Sequence, residues 1–279
     1  MGIVALTSAA GAPGVSTTAL GLTLSWPGSA MLADFDHQQA FLAGYLQGAV
    51  ATEKGLLRVL DAARHGHLQS DAVRDQAVAL PEDDQPEGHR RLLLPGLPTP
   101  AAAGFLPAAV PAILEAFRAL CDAGLDVVCD LGRAPREGFP PAVLPHLGRL
   151  LLLTVPTLRG LAAARACAER LQATARSTGS TTRIGVVVVR RAKSLGIKGE
   201  AEKAEQQVGE TYYSDREVAG WLGFPVDGTI LHDARWASLL SEGGPRPTKW
   251  SQSGYAASLT RLARAEYQHL HLVGAGRTT

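Results

Sequence analysis

Short apolar runs alternate with amphipathic stretches along the whole chain. Apolar runs of about four to seven residues that end at Gly, Pro or Asp are typical of strands buried on both faces of a parallel sheet. They occur at residues 1–7, 30–33, 91–94, 125–130, 150–154, 183–189 and 226–231. Stretches with helical spacing lie between them, at 55–64, 110–123, 161–176, 215–221, 234–241 and 254–269. This alternation predicts an α/β fold in which a doubly wound, mostly parallel sheet carries helices on both faces.

The 279 residues contain neither an internal repeat nor a linker long enough to separate two folding units. We therefore predict a single domain over residues 1–279. Within it, a polar connection rich in Pro, Asp and Glu lies near 81–89, and a charged loop lies near 190–212.

The charge balance restricts the class of partner. The net charge is +1, so the molecule has no overall field that would concentrate nucleic acid or anionic lipid. Residues 190–205 hold five basic and three acidic side chains, which gives nucleic-acid binding little local support. The apolar runs are too short to span a bilayer, and no basic segment precedes the first of them. The three cysteines form no CxxC pair and indicate buried thiols, so we expect a cytoplasmic protein without a transmembrane segment.

A loop of small residues follows the first predicted strand. Residues 8–16 read Ser-Ala-Ala-Gly-Ala-Pro-Gly-Val-Ser and open a helix, which is the layout of a Walker A loop. Such a loop holds phosphates with its backbone N–H groups and with the helix N-terminus. Val15 stands where the motif has lysine, and no lysine or arginine occurs before Lys54.

Three carboxylates stand where predicted strands end. Asp34 and Asp36 follow the second strand, and Asp130 ends a later one. Because ligands of open α/β sheets bind at the carboxyl ends of strands, we expect these groups to converge on the loop. In a nucleotide hydrolase Ser16 would contact Mg²⁺, Asp34 and Asp130 would complete its surroundings, and Asp36 would orient the attacking water. The alternative is that each aspartate only caps a helix or loop.

These motifs together resemble the MinD/ParA family, which are P-loop ATPases with a deviant Walker A motif. The family sequence Lys-Gly-Gly-x-Gly-Lys-Thr-Thr aligns with residues 10–17, its Asp-x-Asp with 34–36, and its Asp-x-Pro/Gly with 130–132. The resemblance implies a P-loop NTPase fold with ATP and Mg²⁺ as ligands. The nucleotide-binding positions that it implies are Gly11, Ala12, Pro13, Gly14, Val15, Ser16 and Thr17.

The departures from the family pattern bear on activity. Ala10 replaces the lysine that reaches the partner's nucleotide in the family dimer, and Val15 replaces the lysine on the β- and γ-phosphates. Loss of two charge-assisted contacts, each contributing about 1.5–3 kcal/mol, predicts triphosphate binding weaker by roughly two to four decades. We therefore expect a degenerate site with little or no hydrolysis. Val15 would pack under the sheet, and Ser16, Thr17 and Thr18 would cap the helix.

The family positions cellular cargo, so the resemblance implies a role in a positioning, partitioning or pilus and secretion assembly system. The implied partners are a second copy of the chain or an active ATPase, together with proteins of that system. One alternative is an active partitioning ATPase whose missing cation comes from the 190–205 loop or from another subunit. Another is a dinucleotide-binding enzyme, because residues 9–14 nearly match G-x-G-x-x-G and Asp34 lies 20 residues after Gly14. Strand order distinguishes the dinucleotide enzyme from a P-loop ATPase. A P-loop ATPase of this kind places the Asp130 strand beside the first strand, whereas a dinucleotide enzyme places its second strand there.

Overall fold

The computed structural model describes residues 2–9, 14–36, 41–48, 54–80, 88–97, 106–135, 139–191, 213–244 and 249–272. The strands are β1 Ile3–Ser8, β2 Ser29–Asp34, β3 Val78–Ala79, β4 Arg91–Leu94, β5 Leu125–Arg133, β6 Arg149–Thr154, β7 Arg183–Arg191 and β8 Val226–His232. The α-helices are α1 Val15–Leu24, α2 Leu56–Arg64, α3 Ser70–Gln76, α4 Leu106–Asp122, α5 Leu158–Thr178, α6 Asp215–Leu222, α7 Ala234–Glu242 and α8 Gly254–Leu272. A π-helical turn covers Phe41–Tyr45, and a 3₁₀ turn covers Leu144–His146.

The strands form one sheet in the order β3-β4-β2-β5-β1-β6-β7-β8. Every neighbouring pair is parallel except β3 and β4, which are antiparallel. The predicted doubly wound, mostly parallel fold is therefore confirmed. Strand β5 lies between β1 and β2, which is the order expected of a P-loop ATPase. A dinucleotide enzyme would place β2 beside β1, so that alternative is wrong.

Alternate side chains of the strands enter two separate cores, because successive residues of a strand point to opposite faces. In β1, Ile3 and Ala5 join the core under α2 to α6, whereas Val4 and Leu6 join the core under α1, α7 and α8. Both faces of the central strands are covered, which explains why these strands are apolar throughout rather than alternating. Among the described residues, no helix combines the length and hydropathy needed to cross a bilayer.

Several element boundaries differ from the sequence prediction. Helix α4 begins at Leu106 rather than at residue 110, because Pro111 lies inside the helix instead of in its first turn. The short elements α3 and β3 were not predicted, since Val73 is the only fully buried residue of α3 and β3 has two residues. Most of the predicted polar connection, 81–87, and most of the charged loop, 192–212, lie outside the described residues.

Polar contacts of Arg149 and Asp126 hold α8 near the amino ends of the strands. Arg149 at the start of β6 bonds Glu266 of α8 with Nε at 2.6 Å, and its Nη2 bonds Asp227 of β8 at 2.7 Å. Asp126 of β5 accepts a hydrogen bond from Trp26 Nε1 at 2.9 Å, and its Oδ2 lies 2.8 Å from His271 Nε2. These contacts lie at the end of the sheet opposite to the carboxyl ends of the strands, where the candidate site lies.

Candidate nucleotide site

Helix α1 begins directly after the last glycine of the predicted phosphate loop. Gly14 has φ 86° and ψ 34°, and its carbonyl oxygen accepts a hydrogen bond from the N–H of Thr18 at 2.8 Å. A residue with a Cβ is strained at this φ, so glycine fits the turn. The helix has no acidic residue in its first turn and no side-chain cap, which leaves its positive end available to an anion. The loop residues Ala10, Gly11, Ala12 and Pro13 lie outside the described residues.

The hydroxyl groups at the start of α1 do not cap the helix, so that interpretation is wrong. Thr17 Oγ1 donates a hydrogen bond to the carbonyl oxygen of Gly14 at 3.1 Å instead of accepting one from a backbone N–H. The Ser16 hydroxyl lies near Asp130 and lowers the pKa of that carboxyl group. Glycine occupies the capping position because the turn into α1 requires a positive φ there.

Val15 is part of the hydrophobic core. Its residue is 7% exposed, and it belongs to the cluster that joins α1 to α7 and α8 on one face of the sheet. A valine in this position contributes apolar burial, whereas a lysine would have to extend its charged end out of the core. The packing role expected for Val15 is therefore present in the structure.

The three carboxylates converge at the carboxyl ends of β2 and β5. Asp34 and Asp130 are register partners across these strands. The backbone N–H of Asp36 donates to Asp34 Oδ1 at 3.1 Å, and the N–H of Gly132 donates to Asp130 Oδ1 at 2.9 Å. Asp36 lies against Gly132, where an added Cβ would stand 2.6 Å from its Cγ. The structure thus brings together the predicted aspartates and Ser16, while the roles assigned to them stay predictions.

Burial makes this cluster costly to ionise. The pKa of Asp34 is raised well above its usual value by burial, and then by the charges of Asp130 and Asp36. Burial likewise raises the pKa of Asp130 to about 6, although Ser16 and the N–H of Gly132 oppose the rise. No cation among the described residues contributes to either pKa. In the part of the chain that the structure describes, these carboxyl groups therefore lie together without a compensating lysine or arginine.

Two buried oxygens in the cluster are available to a cation. Asp34 Oδ2 and Asp130 Oδ2 are both buried and have no hydrogen bond of regular geometry among the described residues, although the backbone N–H of Gly96 lies close enough to Asp34 to lower its pKa. Together with the Ser16 hydroxyl they form an oxygen donor set of the type that Mg²⁺ prefers. Within the described ranges, no group of three His, Cys, Asp or Glu side chains is arranged to hold a metal ion. Asp34, Asp130 and Ser16 can supply only part of the coordination of a Mg²⁺ ion, whose other ligands would be phosphate oxygens and water, as is usual for this metal.

Arg190, one candidate for the missing cation, is bound elsewhere. Its Nη2 donates to Asp215 Oδ1 at 2.7 Å and to the carbonyl oxygen of Tyr213 at 2.8 Å. These contacts attach the end of β7 to the start of α6. The other basic residues of the 190–205 loop lie outside the described residues, and so does the side chain of Arg191.

An aromatic cluster beside α1 was missed by sequence analysis. Tyr255 of α8 is 1% exposed, its hydroxyl lies next to the Thr17 side chain, and burial raises its pKa to about 12. The rings of Trp250 and His232 pack edge-on against Tyr255, with centroids 5.9 and 6.2 Å away. These residues follow the loop by more than 200 positions. No local motif links them to it, and only the packing of α8 against α1 brings them together.

The architecture is similar to that of solved ParA and MinD structures. A ParA family ATPase from Chlorobium tepidum superposes with a TM-score of 0.65 at 17% identity, over 97% of this chain and 98% of that one. The MinD cell division protein in a MinC:MinD complex from Aquifex aeolicus gives 0.65 at 15% identity, with 98% and 96% covered. MinD with Mg-ADP from Pyrococcus horikoshii gives 0.63 at 16% identity, with 99% of each chain covered. The chain has the MinD/ParA fold.

The MinD/ParA fold is shown by structure and not by sequence similarity. No protein-family model matches the sequence, and no curated protein is significantly similar to it. At 15–17% identity, superposition over nearly the whole chain demonstrates a shared architecture only. The activity of the site must therefore be argued from its own residues.

Proposed function

We propose that this chain is a MinD/ParA-like component of a cellular positioning, partitioning or pilus and secretion assembly system, acting in the cytoplasm. In this proposal the nucleotide site is degenerate and ATP hydrolysis is weak or absent. The protein acts instead as a dimeric or partner-binding scaffold, either with a second copy of itself or with an active ATPase.

One observation carries the proposal. Buried carboxylates occupy the ends of β2 and β5, and no described cation lies close enough to influence the pKa of Asp34 or Asp130. Val15, in the position of the phosphate-binding lysine, is buried in the apolar core. A triphosphate carries several negative charges, and the positive end of α1 offsets only about half a unit charge. This balance supports weak nucleotide binding.

The fold supports the cellular role and the tendency to associate. Structures with the same architecture are named as a ParA family ATPase and as MinD in a complex with MinC. We transfer to this chain the general role of such proteins in positioning and their use of partner surfaces, without naming the partner. The two cores are built from apolar side chains of the chain itself, so a scaffold of this kind would keep the fold after losing the lysines.

A second candidate is an active ATPase that receives its cation from elsewhere. The unpartnered oxygens of Asp34 and Asp130 favour it, because they fit Mg²⁺ and lie beside the open end of α1. In that case Ser16 and Asp130 would hold the ion, and Asp36 would orient the attacking water. The lysine or arginine would come from the 190–205 loop or from another subunit.

Calorimetric titration with ATP, with and without Mg²⁺, distinguishes the two candidates. In a parallel ATPase assay we expect no Mg²⁺-dependent ATP turnover above the blank for the unmodified protein, and none after Val15→Lys alone. The double variant Ala10→Lys, Val15→Lys regains both lysines, so its affinity for ATP should rise by about two decades or more. Val15→Met is the matched control, because it adds length without charge. Robust turnover by the unmodified protein would overturn the proposal.

Sedimentation of the unmodified protein tests the scaffold role. We expect a dimer, or a complex with a co-expressed ATPase of the same system, whose formation does not depend on added ATP. A protein that stays monomeric at every concentration without nucleotide, yet dimerises with ATP and Mg²⁺, would instead favour the active-ATPase candidate.

A further inference from the structure

A cavity lies on the other face of the sheet from Val15 and α1. Its volume is about 550 Å³. This is within the range of about 300–1,000 Å³ that is usual for small-molecule sites. The walls come from the first half of α4, the end of β5 and the segment 139–147. Phe35, which lies between Asp34 and Asp36, also lines it, so the cavity adjoins the carboxylate cluster.

The described lining is apolar apart from one basic side chain. The lining includes Val110 and Leu114 of α4, Leu131 of β5 and Phe139. Arg133 is the only charged residue of this lining. It is exposed, and the structure gives it no hydrogen bond or ion pair with the residues described. The cavity thus combines an apolar interior with one positive charge that has no partner in the described part of the chain.

The chemistry of the cavity favours non-covalent binding to a preformed wall. Cys129 lines it, but burial raises the pKa of this thiol, which keeps it protonated and unreactive. Prolines at four wall positions fix the local φ angle and limit rearrangement; they are Pro107, Pro135, Pro140 and Pro141. A nucleotide or sugar is disfavoured, because a lining with so few polar groups leaves its hydroxyls and phosphates without partners.

We propose that this cavity binds a free aliphatic carboxylate, with the alkyl chain among Val110, Leu114 and Phe139 and the carboxylate at Arg133. The alkyl chain supplies apolar area to bury. The head group supplies the negative charge that a guanidinium recognises. This inference is independent of the proposed function, since it concerns another face of the sheet and requires no nucleotide.

Isothermal titration with octanoate, decanoate and dodecanoate, each below its micelle concentration, tests the proposal. We expect saturable 1:1 binding that tightens about threefold to fourfold for each added methylene. Arg133→Gln should weaken dodecanoate binding by about threefold to fivefold, because the contact is exposed to solvent. Arg261→Gln is the matched control, since Arg261 is an exposed arginine on α8 and should leave the affinity unchanged.

Leu106→Trp tests whether the alkyl chain occupies this cavity, because Leu106 lines it at the half-buried start of α4. The larger side chain should reduce dodecanoate affinity by about tenfold or more while the circular dichroism melting curve stays cooperative. If this variant does not fold, Leu131→Trp fills the same space from β5. Absence of saturable binding, or unchanged affinity in the filled variant, overturns the proposal. Equal affinity for dodecyltrimethylammonium, or binding only to phosphatidylglycerol vesicles, also overturns it.

Discussion

Replacing Asp130 by asparagine should affect the stability of the fold more favourably at high pH than at low pH. The pKa of Asp130 rises from 3.8 to about 6 in the folded protein, mainly because the side chain is buried. The folded state therefore prefers the protonated carboxyl, and stability is lost as the pH rises from about 4 through about 6. A rise of about two pKa units at about 1.4 kcal/mol each corresponds to roughly 3 kcal/mol. Asparagine cannot ionise, so the variant escapes this loss.

The pH dependence is more informative than the absolute stability of the variant. The asparagine side chain would keep the hydrogen bond from the N–H of Gly132, but its amide group would replace the unpartnered Oδ2 of Asp130. An unsatisfied buried donor costs about 1–3 kcal/mol, equally at every pH. That cost cancels when the effect of Asp130→Asn at pH 8 is compared with its effect at pH 4. We expect the difference to favour the variant by about 2–3 kcal/mol at pH 8.

Urea unfolding at pH 4, 6 and 8, followed by circular dichroism, measures this difference. Asp130→Asn should raise the melting temperature by roughly 5 °C more at pH 8 than at pH 4. Asp122→Asn is the control, because Asp122 is exposed at the end of α4 and lies outside the cluster. A stability difference between variant and parent that does not change with pH would refute the argument that Asp130 is ionised at a cost.

Two further substitutions test other parts of the fold by urea unfolding. Arg149→Met should destabilise the fold by about 3–5 kcal/mol, because it leaves the buried carboxylate of Glu266 without its partner. The control Arg165→Met, at an exposed ion pair, should change the stability little, and equal losses of stability in the two variants would refute the importance of the buried pair. Gly132→Ala should destabilise more than Gly66→Ala, because both glycines have positive φ but only at Gly132 would the new Cβ meet a side chain, that of Asp36. Equal destabilisation by the two alanines would show that the clash at Gly132 contributes nothing.

The sheet was predictable because its signal is local. Each central strand is a continuous apolar run that ends at a polar or small residue, and these runs gave the strands to within a few residues. Elements with few buried positions, such as α3, were missed because one buried Val73 makes no periodic pattern. The start of α4 was misplaced because Pro111 suggests a first turn in the sequence, although its helix continues through it.

The candidate site was predictable only where topology forces convergence. Parallel strands bring their carboxyl ends to one edge, so Asp34 and Asp130 had to lie close together once both strands were identified. The ring of Tyr255 beside Thr17 and the contact between His271 and Asp126 depend on how α8 packs across the sheet. Side chains separated by more than 140 positions carry no sequence signal for such contacts.

Val15 stabilises the folded protein, whereas ionising the buried carboxyl groups of Asp34 and Asp130 destabilises it. Val15 needs no functional explanation, because an apolar side chain in the core contributes to stability. Asp34 and Asp130 do need a functional explanation. Burial raises the pKa of each, and each has one carboxyl oxygen without a hydrogen bond of regular geometry among the described residues. Proteins retain such unfavourable groups mainly at functional sites. Titration with Mg²⁺ alone therefore separates a cluster that still binds a cation from one that is only left over. Stabilisation of the fold by Mg²⁺ that Asp130→Asn abolishes would assign the cluster a present role, even if ATP is never hydrolysed.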